Sequence, residues 1–148
     1  PYHDCLGRLL ERACERFGRA VLFDCHSMPR EALRAAPRVR GRAPEIVLGD
    51  RFGASAARGI VTRTQEAFER AGFRVARNAP FAGGYITQRY GRPQRGVHAV
   101  QIEIDRGLYL DEGQLEPGPH FEAVAAMISA VIAELTMLDG EQPGLAAE

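Results

Sequence analysis

The 148-residue sequence predicts an α/β domain of three layers, a mixed, mostly parallel sheet with helices on both faces. Three observations carry the prediction. The runs at 20–25 and 45–49 are short and almost wholly apolar, the pattern of central strands covered on both sides. Three longer stretches repeat apolar residues at helical spacing, and each closes on a glycine. The patterns follow one another as helix, strand, strand, helix, strand, strand, helix. No internal repeat or linker divides them, so one domain over 1–140 with a polar tail at 141–148 is expected.

Leu6, Leu9, Leu10, Ala13, Cys14 and Phe17 form the first helical stripe, which Asp4 is suited to cap and Gly18 to end. The strand at 20–25 follows at once. Residues 30–44, rich in Arg, Ala, Pro and Gly, are expected to loop over the sheet edge. The strand at 45–49 ends in Asp50 and Arg51, and Ser55 is placed to cap a helix whose buried face is Ile60, Thr64, Ala67, Phe68 and Ala71, closed by Gly72. A third strand is expected at 73–76. Pro80, Gly83 and Gly84 then break regular structure. The run at 97–104 alternates, with His98, Val100, Ile102 and Ile104 on one side and Ala99, Gln101, Glu103 and Asp105 on the other. Phe121, Val124, Ala125, Ile128, Ile132, Leu135 and Leu138 form the last helical stripe, ended by Gly140.

Composition excludes several function classes. All 19 basic residues are Arg and are balanced by 19 acids, so the chain has no net electrostatic pull toward nucleic acid or anionic membrane. No apolar run approaches the length needed to span a bilayer, and no signal peptide is evident; a cytoplasmic protein acting on a small molecule is the expectation. Cys5, Cys14 and Cys25 are odd in number and form no CxxC pair.

The chemistry-bearing residues gather where strands give out. Asp24, His26 and Ser27 close the first strand, Asp50 and Arg51 the second, and Gln101, Glu103, Asp105 and Arg106 the last, so the three clusters are expected to converge at one sheet edge. A neutral imidazole suits Zn²⁺, a nearby carboxylate could deprotonate a water, and an arginine could grip a substrate carboxylate with two donors. The competing reading makes Glu103 the partner of a structural arginine and 50–53 an ordinary strand-to-helix turn.

Four ordered blocks then resemble one family. Asp24-Cys25-His26-Ser27-Met28-Pro29, Leu48-Gly49-Asp50-Arg51-Phe52-Gly53, Gly83-Gly84-Tyr85-Ile86-Thr87 through Tyr90-Gly91-Arg92-Pro93, and Gln101-Ile102-Glu103-Ile104-Asp105-Arg106-Gly107-Leu108-Tyr109 are similar to the N-formylglutamate amidohydrolases. The zinc carboxypeptidases are a more distant likeness. The resemblance implies a zinc-exopeptidase-like fold and hydrolysis of N-formyl-L-glutamate to formate and L-glutamate, a step of bacterial histidine breakdown. It makes His26 a zinc ligand and Glu103 the general base. Tyr85 then corresponds to a mobile-loop tyrosine, Arg51, Arg89 and Arg106 to substrate-carboxylate contacts, and Asp24, Ser27 and Asp50 to supporting residues. A catalytic zinc needs about three protein ligands, and the family's other ligands come from a His-bearing segment near its N-terminus. The chain therefore resembles the family's C-terminal portion, with those ligands expected upstream of Pro1. His3, His98 and His120 are read as solvated or structural. The alternatives are a zinc hydrolase of another N-acyl amino acid or peptide C-terminus, and a metal-free module.

Overall fold

The computed structural model describes residues 1–137. Leu138, Gly140 and the tail at 141–148, all part of the sequence reading, lie outside the described residues. The elements are α1 (Tyr2–Phe17), β1 (Ala20–Met28), β2 (Ile46–Gly49), α2 (Arg58–Arg70), β3 (Val75–Arg77), α3 (Tyr85–Tyr90), β4 (Val97–Asp105), a small hairpin of β5 (Leu110–Asp111) and β6 (Glu116–Pro117), and α4 (Phe121–Thr136). The expected order of seven elements is present, with α3 and the hairpin added.

Four strands form one sheet in the order β1-β4-β2-β3. β1 with β4 and β2 with β3 are parallel pairs, and β2 runs antiparallel to β4. The sheet is thus mixed and mostly parallel, as predicted, but the two parallel pairs point in opposite directions.

Strand alternation sorts the side chains onto two faces. Phe23 and Cys25 of β1, Val100, Ile102 and Ile104 of β4, Ile46 and Leu48 of β2, and Val75 of β3 share one face. Helices α2 and α4 cover it with Val61, Ala67, Phe68, Ile128, Val131 and Leu135, forming the main core. Each large aliphatic buried there contributes about 1.5–3 kcal/mol. An Arg70–Glu134 ion pair ties the two helices together outside. The other face carries Met28, Val47 and Ala76 under Leu33, Ala36 and Phe81, a smaller apolar cluster, and beside it the polar residues of β1 and β4. On that side α3 packs on β4, and α1 lies along β1.

Several local expectations shift. Helix α1 starts at Tyr2 with Pro1 at the N-cap position, so Asp4 sits inside the first turn, where its charge complements the helix dipole. Gly18 ends it in the left-handed conformation at φ 73°, its N–H donating to Cys14 O. Ser55 does not cap α2. Its hydroxyl donates to Ala99 O at 2.8 Å, and His98 Nδ1 accepts the Ala57 N–H at the helix start instead. β1 runs on through Asp24, His26 and Met28 because the ladder with β4 continues to the Met28–Asp105 pair.

Candidate active site

The register of β1 against β4 sets the site. Asp24 pairs with Gln101 and His26 with Glu103. Partners in a parallel pair point to the same face, with strands about 4.8 Å apart. On the other flank of β4, Val47 stands opposite Glu103 and Gly49 opposite Gln101. An imidazole, two carboxylates and an amide therefore share one patch of sheet.

Glu103 is only 8% exposed, yet among the described residues it forms no ion pair. Its Oε1 accepts one hydrogen bond, from Gln101 Nε2 at 2.7 Å, and Oε2 is neither bonded to a described residue nor sealed from solvent. The arginine partner of the competing reading is absent among the described residues. Of the other buried carboxylates, Asp105 is better compensated, accepting from Arg30 Nε and from Gly107 N–H, whereas Asp50, like Glu103, accepts from one neutral amide, Asn78 Nδ2 at 2.6 Å. A nearly buried charge held by a single neutral donor is costly, and such groups concentrate at functional sites.

His26 is half exposed, and its Nε2 lies 3.0 Å from Asp24 Oδ1, two residues back on the same strand face. A carboxylate accepts from the protonated ring nitrogen, which leaves the Nδ1 lone pair free, the usual arrangement of a metal-binding imidazole. Among the described residues no three His, Cys, Asp or Glu side chains come together as a metal site. This chain offers one imidazole ligand with its supporting carboxylate, short of the roughly three a catalytic zinc requires.

A glycine-dependent crossing brings a loop onto the same face. A Cβ on Gly49 would lie 2.6 Å from Gly83 N and 2.7 Å from Ala82 C, so only glycine lets the 82–84 segment cross β2 here. Gly83 takes φ +119°, and Gly84 N–H then donates to Gln101 Oε1 at 2.6 Å. Helix α3 starts immediately afterward and presents Tyr85, 58% exposed, whose hydroxyl accepts from Arg89 Nη1. Arg89 also stacks over the Tyr85 and Tyr90 rings, and hydrogen bonds with Tyr90 and then Tyr85 raise its pKa above the ordinary guanidinium value. From β2, Arg51 runs its Cγ past Gly83, and its N–H donates to Ala82 O. Arg51, Phe52 and Gly53 are three consecutive left-handed residues, strain that the Asp50–Asn78 pair helps to hold.

The predicted cluster is thus brought together in part. Asp24, His26 and Glu103 meet on one face, and Arg51, Tyr85 and Arg89 lie on or beside the loop that crosses it. Asp50 is buried behind that loop in its pair with Asn78. Ser27 and Arg106 go elsewhere: Ser27 alternates to the opposite face, and Arg106 donates to its hydroxyl and its carbonyl. The three clusters do not meet at strand ends as expected, because β2 runs against β4 and its C-terminal Gly49 lies opposite Gln101, midway along β4. Cys25 also faces away from His26, and burial followed by the charge of Asp24 raises its thiol pKa. Sequence reasoning put Gln101 in the last strand's cluster without a role, and it left Asn78 out of the site. Strand parity with Glu103 was the signal for Gln101.

The family model for N-formylglutamate amidohydrolase matches residues 1–110, from α1 through the end of β4 and the turn beyond it. The chain belongs to the N-formylglutamate amidohydrolase family. It is 35% identical over 136 residues to an N-formylglutamate deformylase of Pseudomonas putida, and equally to one of Pseudomonas aeruginosa, covering 91% of this chain and 49% of each relative. A crystal structure of N-formylglutamate amidohydrolase from Ralstonia eutropha JMP134 superimposes with a TM-score of 0.79 at 33% identity, over 92% of this chain and 48% of that one. The chain spans about half the length of the amidohydrolase-family relatives it matches. Among the described residues no helix is long and apolar enough to cross a membrane.

Proposed function

We propose that this chain forms the general-base wall of a site that hydrolyses N-formyl-L-glutamate to formate and L-glutamate, in a cytoplasmic enzyme of histidine breakdown. The pairing of His26 with Glu103 across β1 and β4 carries the reading, since it sets an imidazole beside a carboxylate that forms no ion pair among the described residues. The names of the matched relatives support the substrate.

Glu103 acts through Oε2. That oxygen takes a proton from water as the water oxygen adds to the formyl carbon, then gives it to the amide nitrogen as the C–N bond breaks. The two substrate carboxylates would be met by Arg51 at the crossing turn and by Arg89 with Tyr85 on α3, the cationic groups beside this patch. Arg106, tied to Ser27 on the other face, instead braces the end of β1.

Zinc fits this reading as a partly formed site. His26 would hold the ion through Nδ1 with Asp24 behind it, and the further ligands would come from the part of the family's length beyond these 148 residues. Bound there, Zn²⁺ supplies polarisation of the formyl oxygen and a more acidic water.

The test uses the full polypeptide that carries this chain. Formate and glutamate should be released from N-formyl-L-glutamate far faster than acetate from N-acetyl-L-glutamate, and His26→Ala should lower the zinc content of the purified protein. Faster turnover of the acetyl compound would reassign the substrate to another N-acyl amino acid, and full zinc content in His26→Ala would remove His26 from the ligand set.

A further inference from the structure

Gln101 is 7% exposed and makes two hydrogen bonds in opposite senses. Its Oε1 accepts from the Gly84 backbone N–H at 2.6 Å, and its Nε2 donates to Glu103 Oε1 at 2.7 Å. The amide can sit only one way round. A backbone N–H only donates and a carboxylate only accepts, so a flipped amide would put donor against donor and acceptor against acceptor. Gly84 is itself held at its carbonyl, which accepts from Thr87 Oγ1 and from Gln88 N–H. One bridge therefore joins the crossing loop, which presents Tyr85, to the carboxylate of Glu103.

We propose that Gln101 is the positioning residue for the base of the reaction proposed above, on which this inference rests. By occupying Oε1 as a donor, the amide reserves Oε2 for the water proton, and by bonding Gly84 it holds the carboxylate only when the Gly83–Gly84 turn is seated. Proton transfer runs from water to Oε2 and from Oε2 to the departing nitrogen, and Gln101 gains and loses no proton at either step.

The test is a double-mutant cycle in the full polypeptide, read as formate release from N-formyl-L-glutamate. Gln101→Met, nearly isosteric but unable to make either bond, should lower kcat by about 100-fold and leave KM within about threefold, the signature of a misaimed group rather than lost binding. In a Glu103→Gln background the same substitution should cost less than about twofold, because the group it positions is gone. An equal loss in both backgrounds would show a merely structural role and overturn the proposal, as would an unchanged kcat in the single variant. If Glu103→Gln itself leaves turnover intact, the reading of the site fails and Gln101 falls with it. Should Gln101→Met not fold, Gly84→Ala addresses the other end of the bridge, since its Cβ would stand 3.2 Å from Gln101 Oε1. It should lower kcat with little change in KM, and a wild-type kcat would overturn the bridge. A crystal structure of either variant should find the Glu103 carboxylate rotated, and an unmoved carboxylate counts against the proposal.

Discussion

Glu103 and His98 sit on the same strand, and the difference between them illustrates what one residue's surroundings decide. Glu103 lies on the open face, where among the described residues only the Gln101 amide bonds its carboxylate. His98 points to the helical face, where its Nδ1 accepts the Ala57 N–H and burial, followed by the charge of Arg19, lowers its pKa below the ordinary 6.5. A neutral ring can accept that bond and a protonated one cannot. On acidification the unfolded chain takes up its proton near the ordinary value while the folded imidazole stays neutral. The unfolded state then binds more protons, so this group's contribution to stability falls as pH drops below 6.5 and levels off once the folded ring titrates. Urea midpoints followed from about pH 7 to 5 should therefore drop more for the wild type than for His98→Gln. Parallel profiles would show that His98 is not the titrating group. At this scale His26 and Glu103 were legible in the sequence, because a carboxylate inside an apolar strand demands an explanation. The role of Gln101 was not, because an amide at an alternating position is ordinary until its two partners are known.

Among the elements, the glycine crossing matters most to the site. β2 and the 82–84 segment touch backbone to backbone at Gly49 and Gly83, and this contact lowers Gly84 onto Gln101. Gly49→Ala would force its Cβ against Gly83 N at 2.6 Å, with no flexible side chain able to yield. The variant should lose about 1–3 kcal/mol of stability by chemical denaturation, together with turnover, and wild-type values for both would mean that the crossing is not needed. Hydrophobic periodicity disclosed four strands and three of the helices, since a covered strand and an amphipathic helix leave distinct patterns. It carried no sign of strand direction. The antiparallel step between β2 and β4, which moved Asp50 and Arg51 away from the strand ends of β1 and β4, could come only from the fold. Helix α3, six residues long, is too short to show a period and was hidden behind its glycines.

Across the whole molecule, one sheet face holds the apolar core beneath α2 and α4, while the other carries Asp24, His26, Gln101 and Glu103 in adjoining rows. The chain spans about half the length of its relatives, and its imidazole and carboxylates fall short of a full metal site among the described residues. Four motif blocks in family order made the kinship legible from sequence. The proposed site turns on Glu103, which forms no ion pair among the described residues, as its base. Turnover of N-formyl-L-glutamate by the full polypeptide bearing Glu103→Gln, with zinc measured on the same sample, tests it most directly. A loss of at least about 100-fold with zinc content unchanged is expected; turnover within a few-fold of wild type would remove Glu103 as the base.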